Sequence, residues 1–333
     1  TPPRPRPHGG RARRHHPWRM VGLLLAGGLL LALLTLVLGR TAQGWMLAQG
    51  ALFADLLPFR APRTLTAACA GALLGAAGGL MQRLTGNPLA GPEVLGVSAG
   101  AGAGLALAIL TLGTPSHGAL LAGSVGGAGA ALLFILLMGA RTGFGPERML
   151  LAGVALGCTC LAFLSAVFAT GSWNTFLLLA WLAGSTDRVG AMEAGAMAVA
   201  TLILLAPLPL LGRWLAILPL GSPVATALGV PVRGSRLLIS LLAALMTAIA
   251  AFFVGPLSLV GLLGPHLARL LGFGGGIAFL AASALLGADL MILADWLGRT
   301  VAFPYQIPVG FFAALIGGPY LIYLLQREGP SHG

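Results

Sequence analysis

The chain has 333 residues, 57% of them apolar and only 8% charged, where an ordinary soluble domain carries about 25% charged residues. With a mean hydropathy of +0.94 it reads as one polytopic membrane domain and not as two soluble ones. All 19 basic residues are arginine, which excludes a Walker A P-loop, a pyridoxal Schiff base and a catalytic lysine within these residues.

The net charge of +11 is unevenly placed, because residues 1–19 hold Arg4, Arg6, Arg11, Arg13, Arg14 and Arg19 and no acid. This Pro-, Arg- and His-rich stretch is expected to be a disordered cytoplasmic leader or linker that sets orientation. Membrane lipid is its expected neighbour, not nucleic acid. Opening on Thr1, the chain is expected to be processed or cut from something longer. The apolar run that follows is too long for a signal peptide and lacks a small-residue cleavage site.

A helix needs about 20 apolar residues to span a bilayer. Such runs predict spans at 20–39, 62–82, 94–112, 118–139, 148–170, 189–212, 234–255, 257–271, 276–296 and 307–325. The eighth, short and holding Pro265 and Arg269, reads as a half-helix. The expected fold is all-α: a polytopic domain of about ten transmembrane helices over residues 20–326, with a cytoplasmic tail at 327–333. An N-terminus inside leaves 5 arginines outside (Arg40, Arg60, Arg63, Arg188 and Arg299) and 14 on the cytoplasmic side, so both termini are expected to be cytoplasmic.

Along these runs, Gly71, Gly75 and Gly79 repeat at four residues, as do Gly96, Gly100 and Gly104. Such stripes let helix backbones approach closely in lipid. Cys69, Cys158 and Cys160 all lie in apolar runs and are expected to pack in the core; the last two point to opposite sides of a helix and cannot share a metal. Pro88-Leu89 with Leu95-Gly96, and Pro256-Leu257 with Leu263-Gly264, share one internal spacing, a faint inverted repeat.

Three segments carry more than composition. The first runs from Gln82 through Asn87-Pro88-Leu89-Ala90-Gly91-Pro92-Glu93 to Gly96 and Ser98; its polar groups and prolines break the backbone between spans, as an ordered re-entrant or hinge segment does. In the second, Gly221-Ser222-Pro223-Val224-Ala225-Thr226-Ala227-Leu228-Gly229, Ser222 is expected as N-cap, Pro223 as first helical residue and Gly229 as the stop of a short cytoplasmic helix. The third holds Gly264-Pro265-His266 and Arg269, then Ala294-Asp295-Trp296-Leu297-Gly298-Arg299, then Pro308-Val309-Gly310 and Gly317-Gly318-Pro319-Tyr320. His266 has no second ligand nearby and reads as structural, so no metal site is expected.

In order and spacing these segments, over roughly residues 20–326, resemble the FecCD family, the iron-siderophore, haem and vitamin B12 permeases of type II ABC importers. The block from Ala294 to Pro308 is most similar to the C-terminal half of ferric-hydroxamate permeases, in which two ten-helix halves are fused. The resemblance implies a non-enzymatic permease of the bacterial inner membrane. Its implied partners are an ATPase dimer that holds ATP and Mg, a periplasmic or lipoprotein siderophore-binding protein, and a second permease half, identical or homologous. No cofactor is expected on this chain.

The resemblance also implies roles for residues. Gln82, Asn87, Pro88, Leu89, Pro92, Gly96, Pro265, His266 and Arg269 carry the family motif. Gly221, Ser222, Pro223, Ala225, Leu228 and Gly229 form the loop that couples to the ATPase, although many members have acids where Ser222 and Pro223 stand. Arg60 and Arg63, placed before the second span, and Arg299, placed after the ninth, dock glutamates of the binding protein; Asp295, four residues before Arg299, holds part of its charge. Ser165, Thr170, Ser172 and Asn174 are candidate pathway lining. Asp289, about 9 Å deeper than Asp295 by helix rise, is expected to be neutral or hydrogen-bonded and not ion-coupling. Haem, vitamin B12 and catecholate cargoes stay open, and so does a proton- or sodium-coupled secondary transporter.

Overall fold

Apolar runs in lipid become helices, because the backbone has no other partner there. The computed structural model describes residues 16–327 apart from Gln43, Thr114, Pro115, Gly143, Phe144, Ser172, Arg188 and Ser258. Helix α1 (Pro17–Val37) leads into an antiparallel hairpin of β1 (Leu38–Thr41) and β2 (Gly44–Leu47). There follow α2 (Gly50–Thr85), α3 (Val97–Leu112), α4 (His117–Thr142), α5 (Pro146–Ala169), α6 (Trp173–Leu182) and α7 (Ala191–Leu205). The short α8 (Gly212–Ile217) and α9 (Ser222–Ala227) precede α10 (Val232–Val254), α11 (Leu259–Leu270), α12 (Gly276–Thr300) and α13 (Val309–Arg327). Seven described stretches are long and apolar enough to cross a membrane, and α3, α11 and α13 are shorter apolar helices. Together they are ten apolar helical stretches, in keeping with the roughly ten spans expected.

Helix α2 is the axis of the bundle, with 83% of its most apolar window buried. It packs on α12 through the first glycine stripe: a Cβ at Gly71 would lie 2.1 Å from the Gly287 carbonyl oxygen, and one at Gly75 2.1 Å from that of Ser283. The second stripe closes α3 on α4 in the same way, a Cβ at Gly104 falling 2.2 Å from the Gly123 oxygen. Both contacts are backbone on backbone, so a methyl group would part the helices; without a hydrophobic drive in lipid, such close approach holds them together. The approach of α2 to α12 also places Arg63 beside Asp295 across 232 positions of sequence.

The all-α architecture holds, with one small addition: β1 and β2 pair as a hairpin whose Trp45 stacks on Trp296 at 5.7 Å, while the Trp296 indole donates to the Leu38 carbonyl. Several other expectations need correction. Helix α2 starts at Gly50 and runs through Pro58 and Pro62, so Arg60 and Arg63 lie within a helix and not before it. Helix α12 continues to Thr300, which puts Arg299 in its last turn. The sixth span is broken, α7 ending at Leu205 before a chain of short helical turns to Leu220. Helix α6 was not foreseen. Cys69 is buried, but Cys158 is exposed and Cys160 only half-buried, on a helix that is covered over just 17% of its most apolar window. Residues 1–15, and with them most of the expected leader, lie outside the described residues, as does 328–333 of the tail.

Candidate functional site

Two clusters mark opposite ends of the bundle. At one end, the Asp295 carboxylate, 1% exposed, receives Arg63 Nη2 and Arg299 Nε, each at 3.1 Å. The two arginine side chains are themselves only 14% and 12% exposed. Thr186, buried in the α6–α7 loop, donates its hydroxyl to the same Asp295 oxygen that Arg63 uses. Arg63 Nη1 donates to Gln306 Oε1 at 2.8 Å, and Arg299 Nη2 to the Thr35 carbonyl at 3.3 Å. Arg60 turns to the end of α1, donating to the Leu36 carbonyl at 2.7 Å. A carboxylate so enclosed stays in the bundle only because two guanidinium groups and a hydroxyl replace its water.

These arginines border a cleft of about 250 Å³ walled by Leu38, Phe59, Phe303 and Pro304. The i,i+4 pairing of Asp295 with Arg299 is as expected. Thr186 and Gln306 escaped the sequence reading, for no local pattern marks a hydroxyl or an amide as a partner 109 or 243 positions away.

At the other end stands α9. Its N-cap is Gly221, at φ 97°, and not Ser222. The Ser222 hydroxyl is engaged elsewhere: it accepts from Arg236 Nη2 of α10 at 2.8 Å. Pro223 occupies the first turn as expected, Ala225 is buried beneath it, and Leu228 is exposed. Gly229, at φ 74°, stops the helix while the Val230 amide bonds back to the Ala225 carbonyl at 2.9 Å. Arg213 of α8 caps the far side by donating to the Leu228 carbonyl at 3.0 Å. One arginine thus holds each end of α9. Neither Arg213 nor Arg236 was singled out from sequence, though a cation near the last carbonyls of a helix is a recognisable signal.

The motif residues meet close to this end. Asn87 Oδ1 accepts the Leu89 amide at 2.9 Å in an Asx turn, a local fold that Asn favours. Pro92 opens a 3₁₀ turn, Pro92–Leu95, closed by Gly96 at φ 70°. This turn is wedged tightly: a Cβ at Gly153 would meet the Val94 oxygen at 1.8 Å, and one at Gly261 would meet the Pro92 ring at 2.5 Å. Pro88 and Leu89 form the exposed rim of the turn. Gln82 Oε1 accepts from Arg269 of α11, and both Arg83 and Arg269 lie over the Phe279 ring, at 5.5 and 5.4 Å. Pro265 is buried within α11, and His266 meets Tyr320 edge-on at 5.5 Å. Glu93 is partly covered, with Oε1 enclosed; burial pushes its carboxyl up to about 7, against a smaller opposing pull from Ser98. Among the described residues no three His, Cys, Asp or Glu side chains are grouped to hold a metal.

Of the candidate lining residues, the side chains of Ser165 and Thr170 are described, and their hydroxyls turn to different carbonyls of α5. Ser165 is exposed on α5, its hydroxyl turned to the Leu161 carbonyl at 2.9 Å. Thr170 closes α5 through the Val167 carbonyl at 2.7 Å and borders a cavity of about 300 Å³ with Thr175, Leu110 and Leu178. Ser172 and the Asn174 side chain lie outside the described residues. A larger cavity, about 450 Å³, opens at the Asp295 end between Leu182, Ala183, Pro256, Leu257, Pro308 and Phe311. Asp289 faces Gly28 of α1, where a Cβ would touch its carboxylate.

Comparison with known proteins bears on this arrangement. The model of the FecCD transport family matches residues 23–327. The iron(3+)-hydroxamate import system permease protein FhuB of Salmonella typhimurium is 45% identical over 320 residues, which are 95% of this chain and 46% of that protein. The chain spans about half the length of the hydroxamate relatives it matches. The vitamin B12 import system permease protein BtuC of Salmonella paratyphi A is 36% identical over 95% of this chain and 97% of its own. A solved structure of a metal-chelate type ABC transporter in an inward-facing conformation superposes with a TM-score of 0.82 at 27% identity, over 93% of this chain and 99% of that one.

Proposed function

The chain belongs to the FecCD transport family, and from that premise we propose that it is a permease half of an ABC importer carrying ferric hydroxamate across the bacterial inner membrane. The observation that carries the cargo class is the 45% identity to a hydroxamate permease over nearly all of this chain. In this reading both termini are cytoplasmic, the Asp295 end faces outward and the α9 end faces the cytoplasm.

The geometry supports a division of labour between the two ends. The chain has no lysine and makes no covalent bonds to cargo; ATP and Mg belong to a separate ATPase dimer. That dimer contacts α9 through Ser222, Pro223, Leu228 and Gly229, with Gly221 and the buried Ala225 giving the helix its seat. Closure of the ATPase pushes α9, and Arg213 and Arg236 pass the push to α8 and α10. At the outer end, glutamates of a periplasmic or lipoprotein siderophore-binding protein approach Arg60, Arg63 and Arg299. A second permease half, identical or fused, faces the uncovered α5, where Ser165 and Thr170 offer hydroxyl groups without charge. Alternating access then needs only that the two ends favour different arrangements of the same helices.

Uptake of radio-iron ferrichrome into proteoliposomes holding this permease with its second half, ATPase and binding protein tests the reading. ATP-dependent uptake that haem and cobalamin do not suppress is the expected result. ATP-dependent movement of cobalamin instead would favour the vitamin B12 reading, which the near-complete match to that permease supports. Uptake that follows a proton gradient and ignores ATP would overturn the importer.

A further inference from the structure

The arginines expected to meet a docking partner are already occupied. Arg63 directs Nε and Nη2 at one Asp295 oxygen, at 3.4 and 3.1 Å, and gives Nη1 to Gln306. Arg299 forms an ion pair with Asp295, Nε to Oδ2 at 3.1 Å without hydrogen-bond geometry, and gives Nη2 to the Thr35 carbonyl. A guanidinium grips a carboxylate best through two parallel bonds. Each arginine is thus drawn inward, and a fork turned outward to a second carboxylate competes with these internal contacts. The charge balance nonetheless invites a second carboxylate, since Arg40, Arg60, Arg63 and Arg299 line one cleft and Asp295 pairs with only two of them.

Bonds around the same cluster also hold the walls of the cavity of about 450 Å³. The α6–α7 loop, which contributes Ala183, is tied to Asp295 by Thr186. Next to it, the Ser185 amide bonds to the Val254 carbonyl at 2.8 Å, fastening the end of α10 just before Pro256 and Leu257. The α12–α13 loop is fastened through Gln306 to Arg63, and through the Ile307 amide to the Gly298 carbonyl at 2.9 Å. Helix α13 then abuts the first loop, a Cβ at Gly310 falling 2.3 Å from the Ala183 oxygen.

We propose that Asp295 and Thr186 are positioning residues that couple docking to the outer cavity: an acidic side chain arriving at Arg63 and Arg299 takes them from Asp295 and Gln306, and the segments at 183–187 and 301–308 loosen around the cavity. The inference rests on the importer reading. It turns an arginine rack into a relay, in which the buried carboxylate competes with the incoming one.

The test uses the assembled transporter in nanodiscs and reads two quantities, the affinity for the binding protein and the stimulation of ATP hydrolysis that docking causes. Thr186→Val keeps the hydroxyl's volume but cannot donate to Asp295. It is expected to hold affinity within about twofold while stimulation falls about fivefold or more, with Thr186→Ser restoring it. Asp295→Asn removes the competing charge and is expected to tighten docking about fivefold while stimulation falls. Normal stimulation in Thr186→Val, or a parallel loss of affinity and stimulation in both variants, overturns the relay. Loss of stimulation that Thr186→Ser fails to restore also overturns it, since a missing hydroxyl is then not the cause. If the wild-type transporter neither docks the binding protein nor responds to it, the importer reading itself falls.

Discussion

At the Asp295 end, two arginines converge on a buried carboxylate; at the α9 end, Arg213, Arg233 and Arg236 bond to the carbonyls of Leu228 and Ala140 and to the Ser222 hydroxyl. The residue type is the same and the acceptors differ. A charged acceptor enclosed between helices cannot exchange its partners for water, so its loss leaves cations stranded. Neutral acceptors near the surface are readily replaced by solvent, and each such bond is individually modest. One end is therefore held in a single arrangement until another charge intervenes, and the other is mounted so that a small force can shift it. On the importer reading, that asymmetry suits recognition of a partner on one side and response to an engine on the other.

The sharpest way to break the comparison is Asp295→Ala. It strands Arg63 and Arg299 without their counter-charge, and a loss of about 3–5 kcal/mol is expected, read as a lower denaturation midpoint of the solubilised chain. If the midpoint stayed put, the outer cluster would be no firmer than the inner one. Next comes Arg236→Gln, which removes the charged mount from Ser222. About a fivefold fall in ATP-driven transport is expected, with ATP hydrolysis and stability nearly retained. A large stability loss there would erase the distinction between the ends.

Glu93 sharpens the picture near the α9 end through pH. Its carboxyl lies at about 7 in the folded chain against an ordinary 4.5, so between these values the folded state keeps a proton that the unfolded chain has released. Stability then falls as pH rises from 4.5 through 7 and levels above it. Unfolding at pH 5 and pH 8 should differ in the wild type and far less in Glu93→Gln. The smallest effect is expected at mid-bundle: Asp289→Asn should leave transport within about twofold, since an ion-coupling role would require the charge. Abolished transport with intact assembly would refute that.

Much of the fold was legible because lipid makes backbone satisfaction a local matter. Ten apolar runs, the half-length α11 and the helix at 222–227 could be read from hydropathy, proline and glycine alone. The glycine stripes at 71–79 and 96–104 also announced close packing, and the structure uses both. The misreadings fall where a local rule met a tertiary partner. The apolar run began the second span at residue 62, yet α2 starts at Gly50 and passes through Pro58 and Pro62. Ser222 had the chemistry of an N-cap, but Arg236 claims its hydroxyl and Gly221 supplies the backbone turn.

The amino-acid sequence by itself determined the apolar helices, the short helix at 222–227 and the family, each of which depends on spacing within a few dozen residues. Only the tertiary structure decided how the arginines are spent. Arg63 and Asp295 are 232 positions apart, Thr186 and Asp295 109. What unites them is the glycine-lined approach of α2 to α12 and the return of two loops to one helix end. No periodicity encodes that meeting, because a buried charge finds its partners in space and not along the chain.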